Sequence, residues 1–136
     1  MLFVIDSNEY IFAFGLSHQS KSRDFLEKLL DNAHLHVLRV PRTIFKEVQR
    51  NLSPEAFQEF NALIHAFTVI DEDIVVPFEI VFKYESRGLK PADAFIAAYT
   101  EWVGAEALIT ENRHFLALHH DLPFKILTVE KVLKIL

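Results

Sequence analysis

Short apolar runs alternate with amphipathic segments along the whole chain. The run Leu2–Ile5 ends at Asp6 and is typical of a buried strand. The segment that follows is mostly helical, most clearly at residues 22–33, where apolar residues recur at helical spacing. Strands separated by helices predict a parallel sheet with helices on both faces. We therefore predict an α/β fold with three α/β/α layers.

The predicted sheet contains about five strands, each followed by a helical segment. Besides Leu2–Ile5, the predicted strands are residues 36–40, 67–70, 107–110 and 125–127. Pro41 is predicted to open one helix and Pro54 another, the latter directly after an N-cap serine, Ser53. A further helix begins at Pro91, and Gly104 lies just past its end. No linker or repeat interrupts this alternation, so we predict one domain over residues 1–136.

The composition excludes several classes of protein. Of the 136 residues, 51% are hydrophobic and 24% are charged, which argues against intrinsic disorder. There is no cysteine, which excludes a disulfide scaffold, a thiolate zinc site and a cysteine nucleophile. No apolar run approaches the roughly 18 residues of a membrane span, and Asp6 and Glu9 come too early for a signal peptide. We predict a soluble, cytoplasmic protein without a membrane partner.

The charge balance limits how the protein can bind nucleic acid. Fourteen basic and nineteen acidic residues give a net charge of −5, which argues against a broad basic binding surface. A carboxylate cluster that holds a divalent metal is acidic and still contacts phosphates.

The hydrophobic content is also high for a small soluble monomer, so we predict a homodimer formed through apolar helical faces.

Polar residues follow the first and fourth predicted strands at the point where each strand ends. The sequence is Asp-Ser-Asn at residues 6–8 and Thr-Glu-Asn at residues 110–112. In an open parallel sheet, ligands bind at the carboxyl ends of the strands, where the strand order reverses. The first strand is usually central there, so both polar clusters are predicted at one crevice.

Two further carboxylates are predicted at the same edge. Asp93 is the third residue of the helix opened by Pro91, where free backbone N–H groups favour a negative charge. Glu47 lies in the helix after the second strand, between apolar Ile44 and Val48. Taken singly, these carboxylates also suit ordinary helix positions. Together they would repel one another unless a cation compensates, and Mg²⁺ prefers such oxygen ligands.

Four motifs, in this order, resemble those of PIN-domain ribonucleases, the family that includes the VapC-type toxins of toxin–antitoxin pairs. FVIDSNEYI resembles the opening strand and Asp-x-Asn motif, PRTIFKEVQ the second motif, LKPADAFIAAY the third and ALITENRHF the fourth. The resemblance covers essentially the whole chain. It identifies Asp6, Glu47 and Asp93 as the acidic positions, with Asn8 in the first motif. Asn112 stands where the family often has aspartate.

The resemblance implies cleavage of single-stranded RNA with Mg²⁺ or Mn²⁺. Asp6, Glu47 and Asp93 would hold the metal directly or through water. Asn112 would complete the catalytic set, keeping an oxygen ligand but contributing one negative charge less. The implied partners are RNA and, for a toxin, an antitoxin protein. The candidate substrate-binding residues are Asn8, Lys90, Thr110 and Arg113, with Lys90 and Arg113 as phosphate contacts.

Two alternatives to an active nuclease stay open. A catalytically weak or inactive PIN-like domain would bind RNA or protein, because Asn112 removes a charge from the metal site. A flavodoxin-like phosphate-binding or receiver domain has the same alternation of strands and helices. A receiver carries a phosphoacceptor aspartate at the end of its third strand, and Ile70-Asp71 matches that requirement only in part. Divalent-metal-dependent RNA cleavage separates the enzyme from the binding module.

Overall fold

Five parallel strands form the centre of the protein. The structure, a computed structural model, describes residues 1–15, 20–118 and 121–136. The strands are β1 (Leu2–Ile5), β2 (Val37–Pro41), β3 (Thr68–Asp71), β4 (Ala107–Ile109) and β5 (Lys125–Leu127). They pair in the order β3-β2-β1-β4-β5, and every pair is parallel. The predicted parallel sheet of five strands is confirmed.

Helices connect the strands and flank the sheet. They are α1 (Ser7–Phe14), α2 (Ser20–Asp31), α3 (Arg42–Asn51), α4 (Pro54–Phe67), α5 (Phe78–Ser86), α6 (Pro91–Trp102), α7 (Arg113–Leu116) and α8 (Val129–Ile135). The chain moves towards one sheet edge from β1 to β3 and towards the other edge from β4 to β5. Right-handed crossovers therefore place α1–α4 on one face and α5–α7 on the opposite face. The last helix, α8, packs against α2.

Local signals located most element boundaries to within one residue. Strands β2 and β3 each begin and end one residue later than predicted. As a result Pro41 has extended backbone, at φ −76° and ψ 152°, and caps α3 rather than forming its first turn. The predicted cap of α4 is confirmed, because the Ser53 hydroxyl accepts a hydrogen bond from the backbone N–H of Ala56 at 3.2 Å. Thr110 lies just past β4, at its carboxyl end.

The central strands bring the two polar clusters to one edge. Phe3 of β1 pairs with Ala107 of β4, and Ile5 pairs with Ile109, so both strands end at the same level. The strand order reverses between β1 and β4, which makes the crevice at their carboxyl ends the switch point of the sheet. A flavodoxin-like sheet has the order 2-1-3-4-5. The flavodoxin-like alternative is therefore wrong.

Asp71, the partial match to a phosphoacceptor, is occupied by internal structure. Its carboxylate accepts hydrogen bonds from Arg39 at 3.0 and 2.7 Å and from the Tyr99 hydroxyl at 2.5 Å. Burial opposes ionisation of Asp71, but the bonds from Arg39 and Tyr99 hold its pKa below the usual value. Asp71 thus connects β2, β3 and α6.

Within the described ranges, no helix combines the length and apolar character of a membrane span.

Candidate functional site

Asp6 lies where β1 ends and α1 begins, and both of its carboxylate oxygens are bonded. Oδ1 accepts a hydrogen bond from the backbone N–H of Ser7 at 2.9 Å, which caps α1. Oδ2 accepts a hydrogen bond from the Thr110 hydroxyl at 2.7 Å. The backbone N–H of Asp6 donates to the Ile109 carbonyl at 2.9 Å, which joins the ends of β1 and β4. The carboxylate is thus fixed at the crevice, with the residue only 9% exposed.

Two other predicted carboxylates lie close enough to act on Asp6. Glu47 lies on α3 and Asp93 in the first turn of α6, and both are half-buried. Burial raises the pKa of Asp6, hydrogen bonds from Thr110 and Ser7 lower it, and the negative charges of Glu47 and Asp93 raise it again. The net pKa of Asp6 is raised. The structure therefore places Glu47 and Asp93 within electrostatic range of Asp6, at the edge where the sequence pattern predicts all three carboxylates.

Asn112 lies beside Asp93, and the side-chain nitrogen of Asn112, rather than its oxygen, faces the Asp93 carboxylate. Its Oδ1 caps α7 by accepting a hydrogen bond from the backbone N–H of His114 at 2.9 Å. Its Nδ2 consequently lies 3.4 Å from Oδ1 of Asp93 and donates to it. The capping bond fixes which end of the amide faces the cleft. The expectation that Asn112 supplies an oxygen ligand is corrected: here it acts as a donor to a neighbouring carboxylate.

Thr110 connects the two polar clusters through its hydroxyl. Its side chain is completely buried. Its hydroxyl donates to Asp6 and accepts a hydrogen bond from the backbone N–H of Asn112 at 3.0 Å. A side chain without exposed surface has no atom with which to touch RNA. The burial of Thr110 argues against the predicted contact with substrate, and the hydroxyl connects Asp6 to the Asn112 turn.

The remaining predicted substrate contacts lie exposed around the site. Lys90 caps α6, three residues before Asp93, and Arg113 is the first residue of α7, next to Asn112. Neither Lys90 nor Arg113 takes part in the ion pairs of the described residues. Asn8 is exposed in the first turn of α1. These positions suit contacts with phosphate or sugar, and their roles stay predictions.

The donor chemistry of this edge fits a hard divalent cation. Asp6, Glu47 and Asp93 offer only oxygen ligands, and among the described side chains no basic group pairs with any of them. In the same part of the chain, no three or more His, Cys, Asp or Glu side chains lie close enough together to hold a metal ion as a group. Mg²⁺ usually keeps several waters and binds through one or two carboxylates. The residues therefore fit an ion that retains much of its water.

The structure also brings together two glutamates that the sequence analysis did not pair. Glu111 points away from the Asn112 side of its turn, because its Oε2 accepts a hydrogen bond from the backbone N–H of Val129 at 3.2 Å. Its carboxyl lies within hydrogen-bond reach of Glu9, which is 1% exposed on α1. Burial, and then Glu111, raises the pKa of Glu9 to about 8. The one feature of the sequence that points to Glu9 is its position in the first turn of α1, the helix that Asp6 caps.

Comparison with known proteins gives matches in structure only. No family model and no curated protein sequence matches the chain. One chain of VapBC2 from Rickettsia felis, bound to a DNA fragment from their promoter, matches with a TM-score of 0.65 and 17% identity over 94% of this chain and 98% of that chain. A toxin–antitoxin complex from Klebsiella pneumoniae matches with a TM-score of 0.63 and 19% identity over 90% of this chain and 98% of that chain. FitAcB from Neisseria gonorrhoeae matches with a TM-score of 0.61 and 13% identity, over 94% and 98%.

These matches span nearly the whole of each chain, so the similarity concerns the complete fold. They confirm the predicted PIN-like α/β fold, with its parallel sheet of five strands. At identities of 13–19% the similarity establishes the fold. The chemistry of the site follows from the residues of this chain.

Proposed function

We propose that the protein is a divalent-metal-dependent endoribonuclease that cleaves single-stranded RNA and is the toxin of a toxin–antitoxin pair. The observation that supports this most is the convergence of Asp6, Glu47 and Asp93 at the switch point of the sheet. Like charges held close together around a buried carboxylate are unfavourable for folding alone. Such arrangements are typical of functional sites, and a cation is their natural complement.

Asp6, Glu47 and Asp93 would hold Mg²⁺ or Mn²⁺, directly or through water. When bound, such an ion lowers the pKa of an attacking water and stabilises charge on phosphoryl oxygens. The three carboxylates also supply the base that takes the proton from the attacking water. Asp6 is the most rigid of the three, because the Thr110 hydroxyl and the Ser7 N–H hold its two oxygens.

Asn112 positions Asp93 in this proposal. The Nδ2 donor of Asn112 restrains one carboxylate oxygen of Asp93 and leaves the other free for the ion. The pair joins the start of α6 to the start of α7. A restrained carboxylate loses less conformational freedom when it binds a ligand, which preorganises the site.

Local positive charge, rather than a broad basic surface, would position the RNA. The net charge of −5 disfavours non-specific attraction to nucleic acid. Lys90 lies just before α6, three residues from Asp93, and Arg113 is the first residue of α7, next to Asn112. Contacts from these two side chains to phosphates on either side of the cut would set the register of the strand. Asn8 would add an exposed polar contact from α1.

The toxin role is supported by the solved structures that share the fold. They are described as VapBC2, a toxin–antitoxin complex and FitAcB. A nuclease of this kind would act on RNA in the cytoplasm and would be blocked there by an antitoxin protein. An adjacent short reading frame that encodes a co-purifying partner would support this assignment. Expression of the protein alone should arrest growth, and the Asp93→Asn variant should relieve the arrest.

Cleavage of end-labelled single-stranded RNA tests the activity. The wild-type protein should cleave with Mg²⁺ or Mn²⁺ and lose activity in EDTA. Asp93→Asn should abolish cleavage, because it removes a ligand charge while keeping nearly the same shape. Asp31→Asn is the matched control, since Asp31 is exposed at the end of α2, near the opposite edge of the sheet. Cleavage that persists in EDTA, or equally in Asp93→Asn, contradicts the proposal.

A catalytically weak or inactive PIN-like domain is the second candidate. The contact between Nδ2 of Asn112 and Asp93 favours it, because this donor stabilises the carboxylate without any metal. Such a domain would bind RNA or protein through the same surface. It becomes the better account if wild-type protein neither binds Mn²⁺ nor cleaves RNA while Asn112→Asp does both.

A further inference from the structure

A cavity of about 250 Å³ lies beside the Glu9–Glu111 contact. It is lined by residues of α1, α2, the turn after β4, and α8; those that matter here are Glu9, Lys21, Ser22, Glu111 and Glu130. None of these residues belongs to the carboxylate group of Asp6, Glu47 and Asp93. The cavity therefore calls for its own explanation, apart from the proposed function.

One carboxylate oxygen of Glu9 receives no hydrogen bond from a donor among the described residues. Oε2 accepts a hydrogen bond from the Ser22 hydroxyl at 2.9 Å, but Oε1 is buried and unpartnered within the described residues. The side chain is 1% exposed, so water covers almost none of it. A buried polar atom without a partner costs about 1–3 kcal/mol, and more when it is charged. Such an atom needs an explanation, and a bound water or ion is one of those that buried polar groups have in proteins.

The charges around the cavity do not balance. Three carboxylates line it, from Glu9, Glu111 and Glu130, against one ammonium group. That ammonium, on Lys21, lies 3.6 Å from Glu130 in an exposed pair. In the part of the chain that the structure describes, no ion pair reaches Glu9 or Glu111. The buried carboxyl of Glu9 and the exposed carboxyl of Glu111 are therefore left without a basic partner among the described residues.

We propose that this cavity binds a hard divalent cation, of the class of Mg²⁺, Mn²⁺ or Ca²⁺, between Glu9 and Glu111. Neighbouring ligands of an octahedral Mg²⁺ lie about 3 Å apart, since each metal–oxygen distance is about 2.1 Å. Glu9 and Glu111 both line the cavity, so an ion inside it would lie between the two carboxyls. The cavity has room for the remaining ligands as water. A shared proton would satisfy the Glu9–Glu111 contact but would use neither the cavity nor Glu130.

The cation would link four parts of the fold. Glu9 lies on α1, and Ser22, bonded to Glu9, lies on α2. Glu111 belongs to the turn that also carries Thr110 and Asn112, and it bonds the first residue of α8. A bound ion would hold this turn in place from the side opposite Asp6. The site would thus stabilise the frame of the proposed active site without touching RNA.

Mn²⁺ alone is the probe, measured by calorimetry and by the electron paramagnetic resonance signal of the free ion. Wild-type protein should bind about two ions, and both Glu9→Gln and Asp93→Asn should bind about one. The double variant should bind none. Glu59→Gln is the matched control, because Glu59 is exposed on α4, and it should bind as wild type does. Mn²⁺ should raise the Tm of Asp93→Asn but not of the double variant.

The proposal is overturned if Glu9→Gln binds as many ions as wild type, which is the result a shared proton predicts. If wild type binds one ion that Glu9→Gln loses and Asp93→Asn keeps, this site stands and the proposed nuclease site fails. Should Glu9→Gln fold poorly, Ser22→Ala replaces it and should weaken this one site severalfold. An unchanged affinity in Ser22→Ala would then overturn the proposal.

Discussion

The Thr110 hydroxyl donates a 2.7 Å hydrogen bond to Oδ2 of Asp6, which joins residues 104 positions apart in the chain. Both groups are buried, and the bond lies where β1 and β4 end side by side. Together with the bond from the Ser7 N–H to Oδ1, it holds both oxygens of the Asp6 carboxylate and fixes the orientation of this group at the ends of the strands.

We predict that Thr110→Val destabilises the protein by about 1–3 kcal/mol, because a buried carboxylate loses its donor. The pKa of Asp6 should rise further, since this hydrogen bond is the largest effect that lowers it. RNA cleavage should fall by about tenfold or more through misplacement of Asp6. Urea denaturation and single-turnover cleavage measure the two effects. Thr110→Ser keeps the hydroxyl and should retain most of the stability and most of the cleavage rate. Equal losses of stability and cleavage in Thr110→Val and Thr110→Ser would contradict the role assigned to the hydroxyl.

Asn112→Asp should tighten Mn²⁺ binding severalfold, because it adds a negative charge beside Asp93. Aspartate also keeps the cap of α7, since its carboxylate accepts the His114 N–H as the amide does. The loss of the Nδ2 donor leaves two carboxylates in contact, so the variant should be less stable than wild type in EDTA. Calorimetry with Mn²⁺ and thermal melts with and without EDTA measure both changes. Unchanged Mn²⁺ affinity would place Asn112 outside the metal site.

The stability of the metal-free protein should fall as the pH rises from about 4.5 to about 8. Burial and Glu111 raise the pKa of Glu9 from 4.5 to about 8 on folding. In that pH window the folded state holds a proton that the unfolded state has released, so rising pH favours unfolding. Glu9→Gln cannot titrate and should flatten this slope, which corresponds to a gain on the order of 1–3 kcal/mol at pH 8. Urea denaturation in EDTA between about pH 4.5 and pH 8 measures the free energy of unfolding of wild type and Glu9→Gln. The same dependence of that free energy on pH in both proteins would contradict the prediction.

We predict a homodimer through the face that carries Ile74, Phe78 and Phe82. These side chains are 92%, 72% and 58% exposed, and the two phenylalanine rings lie 6.3 Å apart on α5. An exposed aromatic patch of this kind is typical of an interface, and the same patch on two copies would make a two-fold contact. Phe78→Glu should give a monomer in light scattering. Ile135→Glu, at an exposed apolar site on α8, is the control and should remain dimeric.

Much of the fold follows from local sequence signals. The predicted boundaries of β1 and β5 are those of the structure, and Ser53 and Pro54 start α4 as expected. Gly104 has φ +73°, a left-handed conformation that suits glycine just past the end of α6. Hydrophobic periodicity and backbone restrictions act over a few residues, so they can be recognised without tertiary contacts. The same signals placed Asp6 and Asp93 at helix starts.

The sequence by itself determined which residues gather at the carboxyl edge of the sheet, because strand ends and helix starts are local features. Only the tertiary structure decided which atoms meet there. Thr110 turned out to be a buried donor, Asn112 presents nitrogen to Asp93, and Glu111 turns towards Glu9. The contacts of Thr110 and Glu111 depend on the pairing of β1 with β4, and the contact of Asn112 depends on the packing of α6 against β4. Periodicity specifies the face on which a residue lies, but the direction of its polar atoms is set by particular neighbours, which for Thr110 lie 104 positions away in the chain.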